Sequence, residues 1–198
     1  VSAPGAAGPP IADTRTRILE AAVACVERWG LAKTSLEDVA SEAGLSRATV
    51  YRWFEGGRDQ LISEAVAWEI GRFLTDLADA VEPEPDLEAK LVRGLVWGHR
   101  AIEEHTLLQR ILGTEPELLL HELQNTIPVM SMLVQAYLVE LLALEHLRPG
   151  VDVTEAATYV GGLFLSYLGS QGGWDLSDED AVARLVRTQL LAGVVESD

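Results

Sequence analysis

Apolar residues along this chain recur mainly at spacings of three and four, the period of amphipathic helices that bury one face. Ile18, Ala22, Cys25 with Val26, and Trp29 form one such stripe, opened at Asp13-Thr14 and ended by Gly30, a natural helix stop. Thr34-Ser35-Leu36-Glu37 has the spacing of a capping box, with the Thr34 hydroxyl accepting from the Glu37 amide. The short helix it starts would bury Leu36, Val39, Ala40 and Ala43 and stop at Gly44, which tolerates the backbone of a sharp turn. Leu45 then points inward, and Ser46 caps a third helix running to about Phe54, where Glu55-Gly56-Gly57 interrupts the pattern. Beyond it the spacing predicts a long helix over 58–81, ended by Glu82-Pro83-Glu84-Pro85, and shorter ones over 87–105, 107–112 and 115–125. Pro128, suited to a first helical turn, opens a helix over 128–146. Pro149-Gly150 separates it from one over 153–171, and Ser177 caps a last one over 178–192.

An all-α protein follows, divided into a flexible tail over 1–12, a three-helix unit over 13–59 and a helical body over 60–198. With 48% apolar residues the chain can bury a real core. Val1 to Pro10 is rich in proline and small residues and does not resemble a signal peptide. The most apolar stretch, Val129 to Leu144, is interrupted by Ser131, Gln135 and Glu140, so no membrane span is expected. Cys25, the one cysteine, sits on an apolar stripe, as a small core residue does, and excludes an intrachain disulfide. A reducing cytoplasm is the expected compartment.

The three N-terminal helices, with a tight turn between the second and third, have the arrangement of a helix-turn-helix. In Ser46 to Phe54, Val50 and Phe54 pack inward while Arg47, Ala48, Thr49 and Arg52 face a major groove. Arginine can hold guanine O6 and N7 with two hydrogen bonds, and Ala48 or the Thr49 methyl can touch a thymine methyl. Tyr51, Trp53, Lys33, Thr34 and Arg58 stand where a hydroxyl, indole N–H or cation would hold phosphates. The formal charge of −16 at first argues against a nucleic-acid partner. Its distribution changes that: residues 1–60 are near neutral at −1 and residues 61–198 carry −15, so DNA contact is confined to the N-terminal unit.

These residues resemble the N-terminal domain of tetracycline-repressor (TetR) family regulators. The resemblance runs through Arg17-Ile18-Leu19-Glu20-Ala21-Ala22, Gly30, Thr34-Ser35-Leu36-Glu37-Asp38-Val39-Ala40, Ala43-Gly44-Leu45-Ser46, Thr49-Val50-Tyr51-Arg52-Trp53-Phe54 and Leu61-Ile62. It implies a ligand-responsive transcriptional repressor that binds a palindromic double-stranded DNA operator as a homodimer and is released by a small molecule held in its C-terminal domain. It implies no cofactor, no metal and no catalytic residue, and a protein that is cytoplasmic and nucleoid-associated when bound. By position, Arg47, Thr49, Tyr51, Arg52 and Trp53 correspond to the family's DNA contacts. The turn before the fourth helix is one residue longer than in many members, and Arg58 stands in for their lysine as a phosphate anchor.

For the body, Trp68, Trp97, His99, His105, Met130, Tyr137, Phe164 and Tyr167 are candidates to line an effector cavity. Few Lys or Arg lie there, which favours an apolar, neutral or cationic effector. The helices over 128–146 and 153–171 are the dimerisation candidates. In the second of these, Val160, Gly161, Leu163, Phe164 and Leu168 supply the interface, and Gly161, Gly162 and Gly169 permit close approach. Two other readings stay open at this stage. A helical enzyme would have to rest on His99, Glu103 and His105, since no zinc-protease, P-loop or nucleophile-elbow pattern appears. An acidic helical bundle that binds proteins rather than DNA is the other.

Overall fold

The computed structural model describes residues 11–169 and 174–196. Their main elements are helices: α1 (Ile11–Trp29), α2 (Leu36–Glu42), α3 (Arg47–Trp53), α4 (Gly57–Val81), α5 (Leu87–Glu104), α6 (Thr106–Thr114), α7 (Pro116–Leu142), α8 (Val153–Gly169) and α9 (Glu179–Leu185), which runs into a π-helical turn over Val186–Leu191. The chain divides into two compact units, one within Val1–Glu69 and Ile111–Leu123, the other within Ile70–Arg110 and Gln124–Asp198. The first unit thus continues past residue 59 into α4 and draws in the chain around the α6–α7 junction.

The first unit closes on Ile18, Ala22 and Cys25 of α1, Leu36, Val39 and Ala40 of α2, Val50 of α3, Phe54 just after it, and Leu61 and Ala65 of α4. Burying each large side chain here contributes about 1.5–3 kcal/mol, so the stripe read from the sequence is also what fixes α3 in place. Burial pushes the Cys25 thiol up to about 11, with Glu42 and Asp38 adding to the effect. Ser35, not Thr34, caps α2: its hydroxyl accepts the Asp38 amide, and the Asp38 carboxylate accepts in return from the Ser35 amide and hydroxyl. The capping box therefore sits one residue later than the spacing predicts, because the Thr34 hydroxyl donates instead to the Gly30 carbonyl at 2.8 Å.

The second unit is built around Leu91 and Leu95 of α5, Leu138 and Leu142 of α7, Val160 and Phe164 of α8, and Leu185 and Leu190 at the end of the chain. Gly98 of α5 lies so close to α8 that a Cβ there would stand 2.8 Å from Leu168 Cδ2. The predicted break before Pro128 does not occur, and α7 is one helix of 27 residues passing through that proline. Pro128 is solvent-exposed, so its missing N–H and the carbonyl it leaves bare cost less than they would in a core. By length and composition alone α7 is apolar enough to cross a bilayer, and 17% of its most apolar stretch is buried. The last helix is capped by Asp178, whose carboxylate accepts from the Asp180 and Ala181 amides, while Ser177 donates its hydroxyl to Asp175. Leu147 and Val195 form an isolated antiparallel bridge, flanked by hydrogen bonds from Arg148 N to Val194 O and from Glu196 N to His146 O.

Candidate nucleic-acid interface

Ser46 caps α3 by accepting the Thr49 amide at 3.1 Å, and its hydroxyl also bonds the Thr49 hydroxyl at 2.9 Å. Val50 and Phe54, both at 0% exposure, anchor one side of the helix. Arg47, Ala48, Tyr51 and Arg52 occur at i, i+1, i+4 and i+5, share the opposite face and are exposed. Tyr51 therefore stands among the outward arginines, while Thr49 and Trp53 are half-buried at the margins, Trp53 packed against the core. Arg47 lies 3.5 Å from Glu37 of α2, an exposed ion pair that a DNA phosphate or guanine can replace at little cost.

The turn that sets α3 against α2 has Gly44 at φ +62, a left-handed conformation that favours glycine. Arg17 of α1 holds that turn: its guanidinium donates to the Ala43 carbonyl, from Nε at 2.8 Å, and to the Gly44 carbonyl at 3.3 Å. Nothing in the sequence pairs position 17 with positions 43 and 44, and the pattern gave Arg17 no role.

Two expected phosphate contacts are spent inside the protein. Thr34 is 1% exposed with its hydroxyl bonded to Gly30, so it cannot reach a phosphate. Arg58 donates from Nε to the Thr34 carbonyl at 2.8 Å, and from Nη2 to the Leu31 carbonyl, with Asp59 beside its third nitrogen. Releasing it to a phosphate would strip two carbonyls of their donor. Lys33, in the same loop, is exposed.

Four of the effector candidates pack in or against core side chains. Trp68 packs against the core of the first unit, and Phe164, 6% exposed, fills the core of the second. Trp97 meets Phe73 with ring centroids 5.6 Å apart, and Tyr167 packs on the same core. His99 lies 3.5 Å from Glu103, while His105 ends α5 and accepts the Leu108 amide through Nδ1. Met130 is half-buried, and burial, followed by Glu82 and Glu140, raises the Tyr137 hydroxyl above its usual range. Among the described residues no three His, Cys, Asp or Glu side chains are grouped to hold a metal ion. A cleft of about 710 Å³ lies elsewhere in the second unit, and none of these candidates lines it. Its walls carry six carboxylates, Glu84, Asp86, Glu88, Glu145, Glu179 and Glu196, against Arg93 and Arg187, the latter 3.4 Å from Glu88.

The expected dimer residues are also largely occupied. Val160, Gly161, Phe164 and Leu168 are buried within the chain's own second unit, and Leu163 is half-buried against it. The close approach at Gly161 is to Leu138 and Val134 of the same chain's α7, whereas Gly162 and Gly169 face open space. An apolar face that stays exposed is instead on α7, where Val129, Met132, Leu133 and Ala136 follow the i, i+3, i+4, i+7 spacing.

Residues 18–65 match the family model described as bacterial regulatory proteins, tetR family. The HTH-type transcriptional regulator MT2310 of Mycobacterium tuberculosis (strain CDC 1551 / Oshkosh) is 30% identical over 104 residues, which cover 52% of each chain. The chain thus spans about half the length of the curated relatives it matches first. Among solved structures, a TetR-family transcriptional regulator from Mesorhizobium loti superposes with a TM-score of 0.62 at 19% identity, over 95% of this chain and 100% of that one. The TetR-family transcriptional repressor QsdR of R. erythropolis gives 0.60 at 18% identity, over 96% and 99%. At those identities the likeness concerns the fold.

Proposed function

We propose, from the match of residues 18–65 to the tetR family of bacterial regulatory proteins, that the chain is a transcriptional repressor that reads operator DNA with α3. The observation that carries the reading is the exposed face of Arg47, Ala48, Tyr51 and Arg52, borne on a helix fixed from behind by Val50 and Phe54. Arg47 and Arg52 are assigned to base edges, and Tyr51, Trp53, Lys33 and the Ser46–Thr49 end of α3 to the backbone. With −15 of its charge beyond residue 60, the protein depends on these local contacts.

The operator is taken to be palindromic and the protein a homodimer, its two reading heads about one DNA turn, roughly 34–36 Å, apart. The α7 face of Val129, Met132, Leu133 and Ala136 is the apolar surface best suited to a second copy. A small effector bound in the second unit would favour a head spacing that the operator does not match. The carboxylate-rich cleft favours a cation over an anion there. Such a protein works in the cytoplasm, at the nucleoid when bound.

Selection of duplexes from a random pool with the purified chain tests the reading, and two-fold symmetric enrichment is expected. Arg47→Ala should then weaken binding by about 1–3 kcal/mol and relax preference at one position of each half-site. Enrichment of no sequence would sink the proposal, and unchanged affinity and preference in the variant would remove Arg47 from base recognition.

A further inference from the structure

The loop between α1 and α2, residues 30–35, is gripped from two sides by groups of opposite charge. Arg58 holds its carbonyls, those of Leu31 and Thr34. Glu115 holds its amides: Leu31 N donates to Oε2 at 2.7 Å and Ala32 N to Oε1 at 3.4 Å. Both grips lie within the first unit. Gly30 makes the second one possible, since it has φ +91 and a Cβ there would stand 2.9 Å from Glu115 Oε1. Leu31 and Thr34 are buried, so the exposed residues of the loop that this carboxylate sets are Ala32 and Lys33.

Glu115 is itself well placed for the task. It stands between α6 and α7, with its amide donating to Ile111 O at 2.7 Å and its carbonyl accepting from Leu119 N at 3.2 Å. Ile111 and Leu119, each 5% exposed, bury the turn on either side. Seven residues beyond Glu115, the Ser63 hydroxyl of α4 donates to the Glu122 carboxylate, a second tie between α7 and this unit. Hydrogen bonds from amides to an ionised carboxylate are roughly twice as strong as neutral ones.

We propose that Glu115 is a positioning residue of the DNA reading head, whose carboxylate fixes the 31–33 backbone so that Lys33 meets a phosphate. The proposal rests on the DNA-binding reading above. Lys33 supplies the charge and Glu115 the place from which it acts. Glu115→Gln keeps an acceptor for one amide but turns an N–H donor towards the other.

The test uses the full chain and a duplex enriched by the wild type. Affinity is titrated against salt for Glu115→Gln, Lys33→Ala and the double variant, with Arg52→Ala alone and combined with Glu115→Gln as control. Glu115→Gln should lower the slope of log affinity against log salt by about 1, as Lys33→Ala does. The double variant should lose nothing further, whereas Glu115→Gln and Arg52→Ala should add. Amide exchange read without DNA should quicken at Leu31 and Ala32 in Glu115→Gln while Val39 and Ala40 keep their protection. A full salt slope in Glu115→Gln, losses that add to those of Lys33→Ala, or unaltered exchange at Leu31 and Ala32 overturns the proposal alone. A wild type that enriches no duplex overturns the DNA-binding reading and this proposal with it.

Discussion

Thr34 and Ser35 stand side by side with equivalent hydroxyls, and a spacing rule cannot say which one caps α2. The choice falls to Ser35 because Gly30, four residues before Thr34, offers a carbonyl that takes the Thr34 hydroxyl first. Arg58 shows the same limit: a cation at the start of α4 looks free until the loop carbonyls that occupy it are placed. The inward residues Ile18, Val39, Val50 and Phe54 were legible, because burial follows a period that a sequence displays. Cys25 was legible too, and its environment has a consequence for pH. An unfolded thiol ionises near 9.0, whereas burial delays ionisation of the native one to about 11. Across that window the unfolded chain holds fewer protons than the native one, so stability falls as pH rises. Cys25→Ala should remove this part of the decline, which urea midpoints at pH values on either side of the window will measure for both proteins.

At the scale of the element, α7 departs furthest from expectation. A proline suits the first turn of a helix and reads as a start, yet Pro128 is an interior residue of a helix that begins at Pro116. Helix propensity is local, and here the packing of Leu119 before the proline and of Leu138 and Leu142 after it overrides that preference. Pro128→Ala should restore an amide donor on the exposed side and stabilise the protein by about 1–3 kcal/mol, measured by chemical denaturation. Unchanged or lowered stability would mean that proline's restriction of the unfolded chain outweighs the missing bond. The stripe on α8, offered by the sequence as a dimer interface, is covered in large part by the chain's own second unit. Val160, Phe164 and Leu168 look the same in sequence whether α5 and α7 of the same chain or a second copy covers them, and only the tertiary structure separates the two.

For the whole molecule, the sequence made the helical class and the reading head legible, because both depend on short-range spacing and on one well-marked turn. It left the effector site illegible, because whether Trp97 or Phe164 lines a cavity or fills a core depends on packing that spacing does not encode. The dimer proposed above makes a checkable demand on the α7 face. Leu133→Glu, at a position 54% exposed in the isolated chain, should leave the fold intact and shift the species in sedimentation equilibrium from twice the chain mass towards one. A dimer of undiminished affinity in that variant would place the interface on another face. Elsewhere in the second unit, the antiparallel pairing of residues 146–148 with 194–196 has a mechanical consequence. Because α8 and α9 lie inside the loop this clasp closes, tension arriving along the chain from beyond residue 196 loads two backbone hydrogen bonds before it reaches either helix.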